Sequence, residues 1–558
     1  MRWALLPAAI AGLLAMPGSA PAATPSPAAT TGSLLVTLRA PAAGRAQAAA
    51  AQALAARTGA RPTGLSIPQL RLTRVRPRAG ESLRALAARL RADPRVASVH
   101  AEQRFALRYV PDDPSFTTAE RGEAGTVTQW WAARENLPAA WDITTGAGAR
   151  VAVIDTGVDA THPELAGKIV ASADFDDNPN DGPATVDEQG HGTHVASLAC
   201  AQSDNAVGLA GAGLGCDLLV AKTDLTEGSV AKALVWAADN HADAINMSFG
   251  TDGTVPASDT LVQALHYADG KGAVLVAAAA DNADHDNPSI EEQGSPANVL
   301  QPTGSGADIN QGIGLSVTAA DASDRRAAFA GRGTQISLAA YGTYGAGGAA
   351  GILGAFPAQT TVLERGDADL KIRPCHCRTV FGGDQRYATL PGTSMSAPQV
   401  AAVAALMRHV NPDLPTADVV RILKQTAHRA GNGAWSPELG WGILDAGAAL
   451  AAARSVDAHA PMSRLRRPSI RGRSILLRWS GSDEAVGGVV ASGIDRFEVW
   501  RSAGNRAARR IAVTAAHSLR LRGKRGQLYR FYTIAVDHAG NREPAPVRPD
   551  ASVRVATR

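Results

Sequence analysis

Long apolar runs are missing from this chain of 558 residues. Beyond the N-terminus no segment reaches the roughly 20 apolar residues that cross a bilayer, so no membrane span is expected. Cysteine is scarce as well. Four cysteines exclude a disulfide-framed miniature scaffold and fit an exported protein with few cross-links. Cys200 and Cys216 flank a polar loop and are candidates for one pair. Cys375-His376-Cys377 offers three zinc-type ligands, two of them too close together for the usual C-x2-C spacing. A disulfide or a plain surface loop is the reading there. Lysine is rare, while alanine and glycine abound, a bias that carries no message about function.

Length alone predicts three or four units of roughly 150 residues. The net charge of +4 hides an asymmetry. Residues from about 24 to 115 carry an excess of arginine, about 116 to 455 are acidic, and the last hundred are basic again. A basic segment beside an acidic one is a candidate partner for it in cis; independent surface charge is the plain alternative. Neither basic segment shows a nucleic-acid module, so no nucleic-acid role is expected.

The N-terminus reads MRWALLPAAIAGLLAMPGSAPAA. A basic Arg2, a short apolar stretch and an Ala-x-Ala site at Ala20-Pro21-Ala22 have the layout of a secretory signal peptide, expected over residues 1–22. A Pro/Ser/Thr-rich lead-in follows. SLLVTLRA, LRLTRVRP and VASVHAEQRFAL then read as strands, separated by an Ala-rich helix and by the amphipathic ESLRALAARLRAD. This β-α-β-α-β order predicts helices on a small antiparallel sheet.

From about Val151 short, wholly apolar strands (ARVAVIDTG, DLLVAKT, ADAINMSFG, GAVLVAAAA, GIGLSVTAA) alternate with helical stretches. That pattern predicts a parallel sheet covered on both faces, with ligands beyond the carboxyl ends of its strands. Residues 456–470 form a Pro- and Arg-rich linker. Six alternating strand patterns follow with no helix between them, which predicts a β-sandwich over 471–558.

Three segments at strand ends or helix starts carry chemistry. In VAVIDTGVDATHPEL a buried strand ends at Asp155; in GHGTHVASLA, His191 opens a helix; in LPGTSMSAPQVAAVAALM, Ser394 opens another. Each is weak alone, and HGTH lacks the glutamate of a zinc helix. Together they supply an acyl-transfer site. Ser394 needs a base to become nucleophilic, His191 titrates near neutrality, and Asp155 can hold the other ring nitrogen and stabilise the imidazolium. Asp, His, Ser is one of the known chain orders for such a triad.

These blocks, with AINMSFG and ELGWGILDAGAAL, resemble the subtilisin family (subtilases) of serine endopeptidases over about Tyr109 to Ser455. The opening YVPDDPSF…QWWAARENLPAAWDITTGAGARVAVIDTG is most similar to its thermitase-like branch. The resemblance implies an α/β subtilisin-like fold with a parallel sheet covered by helices on both faces, preceded by an α+β propeptide and followed by a β-sandwich. It implies a ferredoxin-like inhibitory propeptide at 23–108 acting as a cis inhibitor, a catalytic domain at 109–455, and a fibronectin-III-like module after the linker. The implied activity is hydrolysis of peptide bonds through an acyl-enzyme on Ser394, in a secreted monomer made as a zymogen. A catalytically weak subtilase serving as a binding scaffold is the alternative. No cofactor is needed for catalysis.

Residue by residue, the resemblance assigns substrate binding to Ser248, Phe249 and Gly250, and the opposing substrate strand to Thr226-Glu227-Gly228, after a loop shorter than the family's. It assigns a structural calcium to Asp113, Glu164 and Asn205, with Glu164 standing for the usual Asp; oxygen ligands suit that hard cation. The family ends one strand in Ala-Gly-Asn, whose amide donates to the oxyanion. VLVAAAADN places Asp281 there without a gap, and Asn282 with a one-residue insertion. An ionised Asp281 would repel the oxyanion, whereas a protonated one would donate. The Gly-rich stretch from about Gly342 to Tyr387 is longer than the family's and is read as a loop near the active site.

Overall fold

The computed structural model describes residues 30–39, 45–78, 81–103, 109–120, 125–178, 182–251, 253, 256–279, 293–345, 351–368, 372–428, 434–484 and 491–557. The expected signal segment and both oxyanion candidates, Asp281 and Asn282, lie outside these. The chain divides into two compact units, residues 1–107 and 108–558.

The first unit runs β1 (Thr30–Leu38), a helix Arg45–Thr58, β2 (Arg61–Ile67), β3 (Leu72–Arg76), a helix Leu83–Arg91 and β4 (Val96–Gln103). Its antiparallel sheet has the order β2-β3-β1-β4. Leu34, Val36 and Val75 of the sheet pack against Leu86 and Leu90 of the second helix, which Ser82 caps by accepting from the Ala85 amide at 3.2 Å. One strand exceeds the three read from sequence. β2 carries Pro62 and Gly64, weak strand formers that mask its pattern.

The second unit is built on seven parallel strands: β5 (Arg150–Asp155), β6 (Ile169–Asp174), β7 (Asp217–Lys222), β8 (Ala244–Met247), β9 (Val274–Ala278), β10 (Gly314–Ala320) and β11 (Leu338–Tyr341). Their order is β11-β10-β9-β8-β5-β7-β6. Alternate residues of each central strand serve opposite faces. Ala152, Ile154 and Leu275 meet the helices Glu227–Asp239 and Asp259–Gly270; Val151, Val153 and Val276 meet His191–Cys200 and Thr393–Val410. Apolar runs flagged five of these strands. β6 escaped because it is an edge strand with alternating burial, and β11 because it is only four residues long.

The stretch after Gly342 is not all loop. It holds β12 (Ile352–Ala355), β13 (Arg378–Phe381) and β14 (Asp384–Leu390), an antiparallel sheet in the order β12-β14-β13. The sandwich contains β15 (Met462–Leu465), β16 (Ser469–Arg471), β17 (Ser474–Ser482), β18 (Ile494–Ala503), β19 (Arg509–Thr514), β20 (Ser518–Arg522), β21 (Leu528–Asp537) and β22 (Ala551–Arg554). One sheet gathers β15, β16 and β20 around β17; the other runs β19-β18-β21-β22. Leu477, Trp479, Phe497 and Phe531 fill the space between. The segment expected to be a linker therefore supplies β15 and β16, because Leu465 is inward-facing and pairs with Trp479. Cys200 pairs with Cys216 and Cys375 with Cys377, so the zinc hint at the latter two lapses. Among the described residues no helix is long and apolar enough to cross a membrane.

Leu275, fully buried in the central strand β9, gives a direct test of this core. Leu275→Ala should lower unfolding free energy by about 2–5 kcal/mol, read by chemical denaturation. A loss under about 1 kcal/mol would contradict its placement.

Candidate active site

β5 delivers Asp155 at the carboxyl edge of the sheet, where it is buried. The Thr156 amide donates to its Oδ1 at 2.9 Å, and the His191 ring nitrogen Nδ1 lies 2.8 Å from the same oxygen and 3.1 Å from Oδ2. His191 opens the helix His191–Cys200, behind Gly190 at φ +96°. Helix and strand approach closely here: a Cβ on Gly192 would stand 2.1 Å from the Gly157 carbonyl and 3.2 Å from the Asp155 side chain. Only glycine fits at that position.

Burial opposes charge on His191, but the charge and hydrogen bond of Asp155, with Asp187 behind, outweigh it and raise the ring above its ordinary 6.5. Asp187 is a residue that sequence reasoning missed. It is buried and accepts from the amides of Gly190 at 2.8 Å and Thr193 at 2.8 Å, and from the hydroxyls of Thr193 at 2.7 Å and Thr156 at 3.0 Å. It thus ties the start of the histidine helix to the turn after Asp155. Burial lifts its carboxyl to about 6. No capping rule marks it, because the N-cap position is Gly190 and Asp187 lies three residues ahead of it. The second histidine of HGTH, His194, faces away. Its Nε2 lies 3.1 Å from the Ile352 carbonyl and 3.2 Å from that of Ala388, and burial drops it to about 3. It is a neutral packing group, not half of a metal pair.

Ser394 sits in the first turn of the helix Thr393–Val410. Pro398, four residues on, has no N–H, so the Ser394 carbonyl loses its helical partner. It accepts instead from the Ser248 hydroxyl at 3.0 Å, and the Ser394 hydroxyl donates to the Ser248 carbonyl at 3.0 Å. Asn246 Nδ2 in turn donates to the Ser248 hydroxyl at 2.9 Å. This two-way clamp fixes Ser394 against the chain leaving β8, where Ser248, Phe249 and Gly250 were expected to bind substrate. Ser394 is thus parked on a carbonyl. Its hydroxyl is engaged there and not with His191, and catalytic hydrogen bonds are often not yet made in resting sites.

One assignment changes. Thr226 caps the helix Glu227–Asp239, its hydroxyl accepting from the Ser229 amide, so Glu227 and Gly228 lie in a helical turn and not in an extended substrate strand. Helix propensity and the capping threonine win there. The residues expected to hold calcium lie at an acidic group. Asp113 is gathered with Asp112 and Asp204, and accepts from the amides of Asp204 at 3.1 Å and Asn205 at 3.5 Å. Asn205 turns its Oδ1 to the Val207 amide at 2.8 Å. Glu164 Oε1 takes the Tyr387 hydroxyl at 2.8 Å and the Leu209 amide at 3.1 Å, while its buried Oε2 has no partner among the described residues. Oxygen donors with an orphaned buried carboxylate oxygen are chemistry that fits a hard cation.

The segment between β12 and β13 braces the loop before His191. Val362 and Leu363 amides donate to the carbonyls of Glu188 at 2.9 Å and Gln189 at 3.2 Å, Gln359 Nε2 donates to that of Asp187 at 3.0 Å, and the Phe356 ring covers Gly190. Arg378 secures the brace. It is bidentate to Glu364 at 2.6 and 2.7 Å and donates to the Pro357 and Gln359 carbonyls, both at 2.8 Å. That guanidinium holds the Glu364 carboxyl down at about 2.

A base raised above 6.5 must lose its proton before it can act. The acid limb of kcat/KM should therefore have its midpoint above pH 6.5. Asp155→Asn should move that midpoint down and cut kcat about 10⁴-fold, the loss seen in other Ser-His-Asp triads. A limb that stays in place in the variant would exclude Asp155 as the source of the shift.

A protein-family model described as the subtilase family matches residues 146–442. Thermitase of Thermoactinomyces vulgaris is 33% identical over 304 residues, covering 54% of this chain and 85% of that protein. A thermophilic serine proteinase of Bacillus sp. (strain AK1) is 32% identical over 332 residues, 58% of this chain and 66% of its own length. An extracellular protease of Xanthomonas campestris pv. campestris is 30% identical over 403 residues, 65% of this chain and 60% of its own. The chain thus spans less than two thirds of the last two. With the Asp, His and Ser blocks inside the matched span and the parallel sheet beneath them, the chain belongs to the subtilase family of serine endopeptidases.

Proposed function

We propose that this protein is a secreted endopeptidase, made as a zymogen, that hydrolyses peptide bonds through an acyl-enzyme on Ser394. What supports the reading is the Asp155–His191 hydrogen bond at the carboxyl end of β5, beside the Ser248–Ser394 clamp at the carboxyl end of the neighbouring β8. His191 takes the Ser394 proton as the hydroxyl attacks the scissile carbonyl. Asp155 keeps the ring oriented and offsets its positive charge, and the same ring returns the proton to the leaving amine. Substrate backbone pairs along Ser248-Phe249-Gly250. The positive end of the Ser394 helix favours the oxyanion. The missing donor comes from the chain after β9, which runs parallel to β8 toward the same edge, and Asn282 and Asp281 are its candidates. The unit at 23–108 is the cis inhibitor, and the sandwich is an appended module. The relatives matched are proteases, and no comparison favours the scaffold alternative.

A fluorophosphonate probe tests this on processed protein. Rapid labelling of Ser394, lost in Ser394→Ala together with casein cleavage, is expected; wild-type activity no higher than that of the variant would refute it. In the same assay Asn282→Ala should cost about 10²–10³ in kcat if Asn282 is the donor, as loss of such a donor does in subtilisin. Asp281→Asn should instead raise the rate at neutral pH if Asp281 is. No change in either would remove this strand end from the oxyanion hole.

The acidic group near Asp113 and Glu164 is proposed to hold a calcium ion that ties the N-terminal arm of the catalytic part to the Asn205 loop. Chelation should lower Tm, and Glu164→Gln should shrink that drop. An equal Tm with and without chelator would argue against the site.

A further inference from the structure

The triad, the substrate segment and the carboxylates leave the sandwich without a role, and the sandwich has an unusual charge. Residues 456–558 hold 20 Lys and Arg against 8 Asp and Glu, whereas residues 109–455 hold 20 against 40. Within the sandwich, residues 458–482 and 499–536 contain no acidic residue at all. These two segments supply every strand of the β17 sheet.

The pairing registers place the cations on one side. Ile475, Leu477 and Trp479 of β17 are buried in the sandwich core, so Ser474, Leu476, Arg478 and Ser480 form the outward row. Residues directly opposite each other in an antiparallel pair share a face. Arg464 is opposite Ser480, Arg471 and Arg522 are both opposite Ser474, and Arg520 is opposite Leu476. Arg478 is opposite Ser518. All five arginines are exposed. None of them makes an ion pair or a side-chain hydrogen bond among the described residues, although guanidinium groups elsewhere in the sandwich do, as Arg510 and Arg542 do with Glu498.

The result is a surface made of guanidinium and hydroxyl donors, with no carboxylate and no aromatic ring. Along β17 the cations recur at two-residue steps, each about 6.7 Å, over roughly 20 Å. A ladder of that kind matches a linear polymer with regularly spaced anionic oxygens, which guanidinium forks bind in bidentate fashion. Two rivals fit less well. Single-stranded nucleic acid and neutral sugars call for aromatic platforms, which this face lacks. A bilayer surface calls for large apolar residues beside the cations, and Met462 and Leu476 are the two apolar side chains on it.

We propose that the outer face of the β17 sheet docks an acidic polysaccharide, through carboxylate or sulfate groups aligned along β17. The basic module would hold the chain on such a polymer, while the acidic catalytic part is pushed off it and left free to meet protein substrates.

The test uses the full chain carrying Ser394→Ala to prevent self-digestion, with heparin and an alginate oligosaccharide as probes. Direct binding should be seen with at least one of them. Replacing Arg464, Arg478, Arg520 and Arg522 together by serine should weaken it about tenfold or more and flatten its salt dependence. A charge-matched control, with Arg506, Arg509, Arg525 and Arg548 replaced by serine, should bind as the parent does. Equal weakening in the control would reduce the effect to net charge and overturn the proposal. So would tighter binding to duplex DNA or to phosphatidylglycerol vesicles, or no binding to either probe. If the face variant fails to fold, arginine-selective dicarbonyl labelling of the parent decides. Bound heparin or alginate should protect Arg464, Arg478, Arg520 and Arg522 and leave Arg506 and Arg548 reactive; uniform protection would refute the site.

Discussion

A parallel sheet covered on both faces buries the side chains in its middle, so a polar group there needs a partner, as Asn246 of β8 finds in Ser248, and this constraint governs the second unit. β5, β8 and β9 are wholly or nearly wholly buried, with alternate side chains packed under different helix pairs. Polar groups are pushed to strand ends and helix starts, where backbone N–H and C=O groups are also left without regular partners. Asp155, Ser248, His191 and Ser394 stand at such places. The core and the reactive edge are two consequences of one burial pattern.

Local chemistry then sharpens what the sheet gathers. Proline in the Ser394 helix frees one carbonyl, and the freed carbonyl takes the Ser248 hydroxyl. Asp187 does comparable work for the base, joining the histidine helix to the turn after Asp155. Beside it lies the sheet of β12, β13 and β14, and the segment 356–363 that leaves β12 supports the loop 187–190 through three hydrogen bonds and a ring. The histidine is therefore held by its partner carboxylate, by a buried aspartate and by a structure that is far away in sequence.

Much of this was legible in the sequence. Apolar runs marked five of seven parallel strands, since burial on both faces leaves a run and not an alternation. Asp155, His191 and Ser394 stood out as reactive residue types at strand and helix ends. Misses have physical causes. β2 hides behind Pro62 and Gly64, β6 alternates because it lies at an edge, and β15 and β16 look like linker until Trp479 gives Leu465 something to pack against. Thr226-Glu227-Gly228 had been placed by resemblance, and its own capping threonine starts a helix.

By itself, the sequence determined the residue types that can react, their order along the chain, the period of each burial pattern and the uneven distribution of charge. These are local properties, set by one residue and its near neighbours. The tertiary structure alone decided which groups meet. Ser248 and Ser394 are 146 residues apart and exchange two hydrogen bonds; Gln359 reaches Asp187 across 172; and arginines from four strands come to lie on one face. No spacing rule encodes such meetings, because they depend on strand order and register, which arise only when the whole core packs at once.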